Sequence, residues 1–306
     1  MPAAGLLPRC GGTEKMTEPK KKLLFAEPRG FCGGVRRALA LVDELLERRQ
    51  GDCPVYVFHE IVHNNFVVKK LKEKNVIFVD RLDAVPDGTD CVFSAHGVSP
   101  EVEAEAVKKQ LRVTDATCPL VKAVHKRAAE LVDSGFFTIL IGHANHPESI
   151  GTLGQRPGIY LVEGVDDVAA LPTPSPGQPV GFITQTTLSS EEITPVVDAL
   201  RKRFGKLTGE GDICYATNQR QKAVRELCRQ VDVMLIVGSA RSSNSNRLRE
   251  IAAAAGVKAF LLDDASDLMP EMVDNALVIG ISAGASAPEC LVEALTSRLK
   301  SEFGFC

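Results

Sequence analysis

The sequence predicts an α/β fold in which three similar small domains, each with a mainly parallel sheet, stand in a pseudo-threefold arrangement around a central cavity. Short apolar runs alternate with longer amphipathic stretches along the chain, a pattern typical of β-α-β units. Three cysteines, Cys32, Cys118 and Cys214, stand just before three of the amphipathic stretches and are 86 and 96 residues apart. Repeats at such spacing indicate three copies of one structural unit.

Hydrophobic periodicity places the individual elements in order. The predicted strands cover residues 23–26, 55–58, 76–79, 91–94, 138–142, 159–162, 181–184, 233–238, 259–262 and 277–281. The predicted helices cover residues 34–49, 65–74, 100–110, 120–134, 191–204, 218–230, 245–255 and 288–300. Residues 171–179 are rich in proline and are expected to form a surface loop.

The repeat divides the chain into three domains, at residues 22–115, 116–212 and 213–306, each of which holds one of the three cysteines. Domains of roughly 90–100 residues lie within the usual size range. Residues 1–21 lack the apolar segment of a secretory signal and are expected to be a disordered leader. A cleaved organelle transit peptide is the alternative, although acidic residues in this segment do not suit one.

The composition excludes several classes of function. The chain has 306 residues and a net charge of −3, whereas proteins that bind nucleic acids non-specifically need a basic face. No apolar run approaches the roughly 20 residues that span a membrane, so no membrane partner is expected. The nine cysteines are odd in number and include no C-x-x-C pair, which indicates reduced thiols in a cytoplasmic protein rather than a disulfide framework.

Two polar clusters follow predicted strands in each domain. The first clusters cover residues 59–64, 143–148 and 239–244, and the second clusters cover residues 94–97, 184–187 and 282–286. His146 follows Cys118 by 28 residues and Ser242 follows Cys214 by the same number, so the clusters belong to the repeat. Because ligands of open parallel sheets bind beyond the carboxyl ends of the strands, we expect these clusters and the three cysteines to meet in one cavity.

The three repeated cysteines are candidate metal ligands. Each precedes a predicted helix, whose N-terminus favours the thiolate by lowering the thiol pKa. Three thiolates without a fourth leave an open coordination position, and thiolates bind zinc, copper(I) or iron–sulfur clusters, among which the spacing does not choose. The remaining cysteines are expected to be structural or inert: Cys10, Cys53, Cys91, Cys228, Cys290 and Cys306.

The polar clusters suit a compact polyanion held by many hydrogen bonds. Five of the six histidines, all except His125, fall in them beside serine, threonine and asparagine residues. Imidazoles that are partly protonated near neutral pH would add positive charge. Ser242, Ser243 and Asn244 precede a predicted helix whose N-terminus can bind an anion, although a simple helix cap is the alternative.

Glu148 is the one carboxylate in the first polar cluster of the second domain. As a functional residue it would donate a proton, and Thr186 in the next polar cluster would pass protons or align the substrate. As a structural residue it would be an acidic group that the helix dipole favours in a first turn.

The motifs taken together resemble the family of 4-hydroxy-3-methylbut-2-enyl diphosphate reductases, iron–sulfur reductases of the LytB type. The resemblance covers residues 22–300 and is specific because many motifs occur in order, whereas one alone would be weak. The motifs are PRGFCGGV (28–35), HEIVHN (59–64), SAHG (94–97), DATCP (115–119), GHANHPE (142–148), TQTTL (184–188), ICYAT (213–217), GS (238–239), SSNSN (242–246) and AGAS (283–286).

The resemblance implies the last step of the non-mevalonate isoprenoid pathway. An allylic alcohol diphosphate is reduced with two electrons and two protons, loses water, and gives isopentenyl diphosphate and dimethylallyl diphosphate. The implied cofactor is one [4Fe–4S] cluster held by Cys32, Cys118 and Cys214, with one open iron for the hydroxyl oxygen of the substrate. The implied electron donor is reduced ferredoxin or flavodoxin.

The resemblance also implies roles for individual residues. Glu148 would supply a proton through Thr186. The residues implied to bind the substrate are His63, His96, His146, Thr186, Ser242, Ser243, Asn244 and Ser286. Two places depart from the usual family pattern: Ser149-Ile150 after Glu148, and Arg241 before Ser242.

Two other functions remain compatible with these residues. One is a non-catalytic iron–sulfur sensor that binds a phosphorylated metabolite. The other is a zinc hydrolase that activates water at the open metal position.

Overall fold

The computed structural model describes residues 20–49 and 53–306, so the predicted leader lies outside the described residues except for its last two positions. The strands are β1 (Lys22–Phe25), β2 (Val55–Phe58), β3 (Val76–Val79), β4 (Asp90–Phe93), β5 (Arg112–Asp115), β6 (Phe137–Ile141), β7 (Ile159–Val162), β8 (Val180–Thr184), β9 (Leu207–Thr208), β10 (Val233–Val237), β11 (Lys258–Leu262) and β12 (Val278–Ala283). The α-helices are α1 (Gly33–Arg48), α2 (Asn65–Glu73), α3 (Pro100–Lys108), α4 (Pro119–Asp133), α5 (Pro147–Leu153), α6 (Val165–Ala170), α7 (Ser190–Phe204), α8 (Tyr215–Leu227), α9 (Ser243–Ala254), α10 (Pro270–Val273) and α11 (Glu289–Phe303).

Three four-stranded sheets form three units of the same architecture. Their strand orders are β3-β2-β4-β5 in the first unit, β7-β6-β8-β9 in the second and β11-β10-β12-β1 in the third. All neighbouring strands are parallel. The predicted α/β class with three parallel-sheet units is therefore confirmed.

Helices cover both faces of the sheets, which explains the continuous apolar runs of the central strands. In β10, Val233, Leu235 and Val237 pack into one hydrophobic core, whereas Met234 and Ile236 pack into a second core on the other face. Strands β6, β8 and β10 are consequently buried along their whole length. The carboxyl ends of such strands carry the loops that build the site.

Strand β1 belongs to the third unit, and the prediction that put it in the first domain is wrong on this point. Its residues pair in register with β12, from Lys22 opposite Val278 to Phe25 opposite Ile281. A four-residue apolar strand carries no local signal for its partner, so only long-range pairing decides its sheet. With this change, the separate cores of the units support the proposed division into three domains.

The fourth strand of each sheet leads into the next cysteine along the chain. Strand β5 precedes Cys118, β9 precedes Cys214 and β1 precedes Cys32, and each cysteine then caps the first helix of a new unit. The three cysteines therefore lie where the chain crosses from one sheet to another.

Sequence periodicity missed the short and exposed elements. Strand β5 is half exposed and polar, β9 has two residues, and helices α5, α6 and α10 have seven residues or fewer. Helix α8 begins at Tyr215 rather than at residue 218, because Cys214 is its N-cap. Within residues 20–49 and 53–306, no helix is long and apolar enough to cross a membrane.

Candidate active site

One cavity lies at the junction of the three units and receives all six strand-end loops. All twelve predicted site residues line it: Cys32, His63, His96, Cys118, His146, Glu148, Thr186, Cys214, Ser242, Ser243, Asn244 and Ser286. These residues come from distant parts of the chain, so the threefold repeat brings them together as expected.

The three cysteines occupy the same position in their helices. Each is the N-cap of α1, α4 or α8, is partly buried and forms no disulfide. Gly34 makes room between two of them, because a Cβ atom at this position would lie 2.7 Å from the Sγ of Cys118 and 3.9 Å from the Sγ of Cys32. The donor set therefore consists of soft sulfur atoms on three helix N-termini, a set that suits an iron–sulfur cluster or another thiophilic metal.

The pKa of the Cys118 thiol is shifted upward, opposite to the expected effect of a helix N-terminus. Burial raises this pKa, and the negative charges of Cys32 and Cys214 raise it further, although the backbone N–H groups of Leu120 and Val121 act in the other direction. Burial and charge repulsion from the two other cysteines therefore both oppose ionisation of Cys118. A bound cationic centre would remove that repulsion, which is how metal binding and thiol ionisation are linked.

The other described cysteines lie away from the cavity, as predicted. Cys91 and Cys228 are buried, and burial raises the pKa of Cys91 to about 11. Cys53, Cys290 and Cys306 are exposed. Cys10 lies outside the described residues.

Three imidazoles form a compact group in the same cavity. The rings of His63 and His96 are stacked with centroids 4.4 Å apart, and His146 meets both edge-on at 5.4 and 5.5 Å. One nitrogen atom of each ring lies within 4.8 Å of the others, a spacing that also suits a divalent metal ion. The Nδ1 atom of His146 accepts the backbone N–H of Glu148 at 3.2 Å, which leaves Nε2 as an N–H donor in the neutral ring.

Two of the three imidazoles, those of His96 and His146, are less basic than the sequence suggested. Burial, with the charges of the neighbouring imidazoles, lowers the pKa of His146 to about 3 and that of His96 well below its ordinary value. Both rings are therefore neutral near pH 7 in the structure. The expected partial protonation would require an anion in the cavity to raise these pKa values.

The third unit contributes hydroxyl and amide groups at the start of α9. Ser242 is the N-cap, and its Oγ accepts the N–H of Ser245 at 3.3 Å. Asn244 in the first turn is 4% exposed, and neither its Oδ1 nor its Nδ2 has a partner among the described residues. Because a buried amide normally satisfies both groups, this side chain indicates a ligand at the N-terminus of α9.

Glu148 is a buried carboxyl held by one residue. It lies in the first turn of α5 and is 2% exposed. Thr186 donates its N–H to Oε1 at 2.6 Å and its hydroxyl to Oε2 at 2.9 Å. Burial raises the pKa of Glu148 to about 7 in spite of these two hydrogen bonds. The carboxyl can therefore hold a proton at neutral pH.

The two departures from the family pattern have structural explanations. Ser149 is buried and donates to Gln185 at 3.2 Å, so it supports the loop behind Glu148 without displacing the pair with Thr186. The guanidinium of Arg241 is hydrogen bonded to Glu60 and Asn65 of the first unit. This arginine thus joins two units beside the cavity.

Sequence reasoning missed four residues near the site. Thr187 and Thr217 line the cavity, and the Thr187 hydroxyl donates to Ser243 at 3.1 Å. Thr187 stands inside a motif that the resemblance already contained, so its position was a usable signal. Gly34 also stands inside one of those motifs, PRGFCGGV, whereas the buried Arg220 was visible only as a charged residue at a core position.

The fold and the cavity define an α/β protein in which a three-cysteine candidate metal centre shares one cavity with a group of polar side chains. A family model described as LytB protein matches residues 23–300. The chain belongs to the LytB protein family.

Proteins of this family from several organisms are similar over nearly the whole chain. The sequence is 50% identical over 285 residues to a 4-hydroxy-3-methylbut-2-enyl diphosphate reductase of Histophilus somni, covering 91% of this chain and 90% of that protein. It is 52% identical over 284 residues to the enzyme of the same name from Tolumonas auensis, covering 91% of each chain.

Solved structures of the same enzyme share the fold. The reductase from Plasmodium falciparum superposes with a TM-score of 0.88 at 38% identity, covering 93% of this chain and 89% of that one. A second structure, described as the terminal enzyme of the non-mevalonate pathway, has a TM-score of 0.66 at 36% identity and covers 92% of this chain and 99% of that one.

Proposed function

We propose that this chain reduces 4-hydroxy-3-methylbut-2-enyl diphosphate to isopentenyl diphosphate and dimethylallyl diphosphate, the reaction type for which its relatives are named. The observation that carries the proposal is the single cavity in which three cysteine N-caps, three imidazoles and a protonatable carboxyl meet. Overall, one substrate molecule takes up two electrons and two protons and releases one water molecule.

Cys32, Cys118 and Cys214 are the residues that would hold a [4Fe–4S] cluster. Their thiols are unpaired, converge on one cavity and have space made by Gly34, so the residues fit such a group. When held by these three cysteines, such a cluster would supply the electrons for the reduction.

The polar side chains of the cavity bind the diphosphate in this proposal. The three imidazoles present N–H donors, and the N-terminus of α9 presents backbone N–H groups together with Ser242, Ser243 and Asn244. The Ser286 hydroxyl also lines the cavity and donates to the carbonyl oxygen of His63 at 3.1 Å. This spread of donors suits two phosphate groups rather than one small anion.

Glu148 supplies a proton to the leaving hydroxyl, and Thr186 transmits it. The Thr186 hydroxyl touches Glu148 and lines the cavity, so it can accept a proton on one side while it donates on the other. Burial keeps the carboxyl protonated for a useful fraction of time near pH 7 because it raises the pKa of Glu148 to about 7.

Reduced ferredoxin or flavodoxin is the proposed electron donor, and the proposed location is the cytoplasm. The location is supported by the eight described cysteines, all free of disulfides, as expected for a reducing compartment.

Iron and sulfide analysis with electron paramagnetic resonance tests the proposal. Anaerobically purified protein should be brown. After chemical reduction it should give a [4Fe–4S] signal that changes when the substrate is added, and with excess reductant it should convert the substrate to the two products. Cys118→Ser should lose most cluster and turnover, whereas Cys290→Ser, at an exposed cysteine outside the cavity, should keep both. Protein that is colourless, catalytically active and contains zinc as its only metal would instead support the alternative function of a zinc hydrolase.

A further inference from the structure

The interior of the third unit holds a buried arginine that the reaction described above does not use. Arg220 lies on α8, six residues after Cys214, and is 3% exposed. Its Nε and Nη2 atoms donate to the carbonyl oxygen of Gly30 at 3.1 and 2.6 Å, and its Nη1 atom donates to that of Ala216 at 2.8 Å. Within residues 20–49 and 53–306, no carboxylate forms an ion pair with it.

At the equivalent position in the other two units the residue is apolar. The residues six positions after Cys32 and Cys118 are Ala38 and Val124, which are 0% and 3% exposed and belong to hydrophobic cores. The third unit thus has a cation where the other two units have core residues. A buried charge is costly unless a nearby opposite charge and hydrogen bonds offset its desolvation.

Among groups that can become negative, the cysteines of the cavity have the largest electrostatic effect on Arg220. Cys32 and Cys214 act electrostatically on the Arg220 guanidinium, followed by the neighbouring Tyr215, while the cation of Arg36 opposes them. The two carbonyl acceptors also lie beside these cysteines, because Gly30 is two residues before Cys32 and Ala216 is two residues after Cys214. One guanidinium therefore links the two cysteine-bearing loops and places its charge next to both.

We propose that Arg220 is the buried counter-charge of the metal centre. The inference rests on the proposed function, since the anion is a cluster with three thiolate ligands, whose net negative charge grows with each added electron. A fixed cation stabilises the reduced form more than the oxidised form and so raises the reduction potential. Arg220 acts through the cluster and its ligand loops, which makes it a positioning residue rather than a catalytic one.

Two substitutions and one control separate the effect of the Arg220 charge from the effect of the shape of its side chain. Arg220→Gln removes the charge and keeps a hydrogen-bond donor, whereas Arg220→Lys keeps the charge and loses the planar fork. Arg225→Gln removes a charge from the same helix at the surface, where Arg225 pairs with Glu191 at 2.6 Å. The measurements are iron and sulfide content and a redox titration of the full chain followed by electron paramagnetic resonance.

We expect Arg220→Gln to shift the ratio of oxidised to reduced cluster at least about tenfold toward the oxidised form, which corresponds to about 59 mV for a one-electron couple. Arg220→Lys should retain most of the wild-type potential. Arg225→Gln should leave the potential unchanged because solvent screens that charge.

The iron and sulfide content of the variants is the second test of the proposal. Loss of the cluster in Arg220→Gln with retention in Arg220→Lys would also support the proposal. Equal shifts in the two variants, no shift in either, or equal loss of the cluster from both would overturn it. Wild-type protein that binds no cluster would refute the proposed function itself, whereas a wild-type cluster with an unmoved potential in Arg220→Gln refutes only this inference.

Discussion

At the scale of single residues, Glu148 shows how burial prepares an acid for use near neutral pH. Its carboxyl is held by the N–H and the hydroxyl of Thr186, contacts that stabilise the ionised form. Desolvation outweighs them and raises the pKa of Glu148 to about 7. The protonated form predominates below that pH, so donation should weaken as the pH rises.

Replacing Glu148 with glutamine should separate proton donation from binding. Gln keeps an acceptor for Thr186 but has no proton to give, so turnover should fall by a factor of about 10²–10⁴ while substrate affinity changes little. Steady-state kinetics and a direct binding measurement check this. Glu101→Gln, in the exposed first turn of α3, is the matched control and should behave as wild type.

The pH dependence of kcat/KM is an independent test of Glu148 as the proton donor. The wild-type kcat/KM should decrease as the pH rises above about 7, because Glu148 then loses its proton. A profile that stays flat from pH 6 to 9 while chemistry limits the rate would contradict the role of Glu148.

The buried imidazoles should couple diphosphate binding to proton uptake. The pKa of His146 is about 3 and that of His96 is also lowered, so both rings are neutral before binding, and an anion beside them raises both values. Affinity should therefore rise as the pH falls through the pKa values of the bound state. Calorimetry of inorganic diphosphate binding in buffers of different ionisation enthalpy measures the protons taken up. Uptake equal in wild type and His96→Gln would argue against this coupling.

At the scale of the element, helix N-termini position five of the residues that line the cavity. Cys32, Cys118 and Cys214 are N-caps, as are His146 on α5 and Ser242 on α9. A helix N-terminus leaves N–H groups without partners inside the helix, which favours anions and thiolates nearby. The same local geometry therefore serves both the cysteines and the polar side chains of the cavity.

Helix α1 begins with two glycines that have different surroundings. A Cβ on Gly34 would lie 2.7 Å from the Sγ of Cys118, whereas a Cβ on Gly33 would have no atom within 4 Å. Gly34→Ala should displace Cys118, at a cost of about 1–3 kcal/mol, and lower the iron content and the stability of the cluster in air. Gly33→Ala is the control and should keep wild-type iron content; equal iron in the two variants would contradict the packing argument.

Elements with strong periodicity were predictable, and the others were not. The long helices after the cysteines and the buried strands have local signals, so α1, α4 and β10 stand close to their predicted places. Helix α5 was missed because seven residues carry too little periodicity, although it holds Glu148. The twelve predicted residues of the cavity came from motif order and repeat spacing, whereas Gly34 and Arg220 depend on contacts between units.

At the scale of the whole molecule, the first and last strands of the described chain belong to the same sheet. Strand β1, near the beginning of the described chain, completes the sheet formed by β10, β11 and β12 near its end. The N–H of Leu23 also donates to the carbonyl oxygen of Cys306 at 3.0 Å. A centre held by one cysteine from each crossover would therefore connect all three units.

Removing iron should therefore destabilise the whole protein. Binding at a hundredfold excess over the Kd contributes about 2.7 kcal/mol, so the Tm of the iron-free protein should be about 4 °C lower, as followed by circular dichroism. Cys53→Ser, at an exposed cysteine outside the cavity, should show the same loss on chelation as wild type. Identical Tm values with and without iron would contradict a centre that links the units.

The sequence by itself determined the chemistry available to this protein: the residue types, the three equivalent cysteines and the loops that carry them. These are recognisable because repeat spacing and short motifs are local properties of a chain. The tertiary structure alone decided that β1 joins the third unit, that burial raises the pKa of Glu148 and lowers that of His146, and that Arg220 lies beside two cysteines. Pairing partners, desolvation and charge proximity depend on residues far apart in sequence, so they exist only once the three units have assembled.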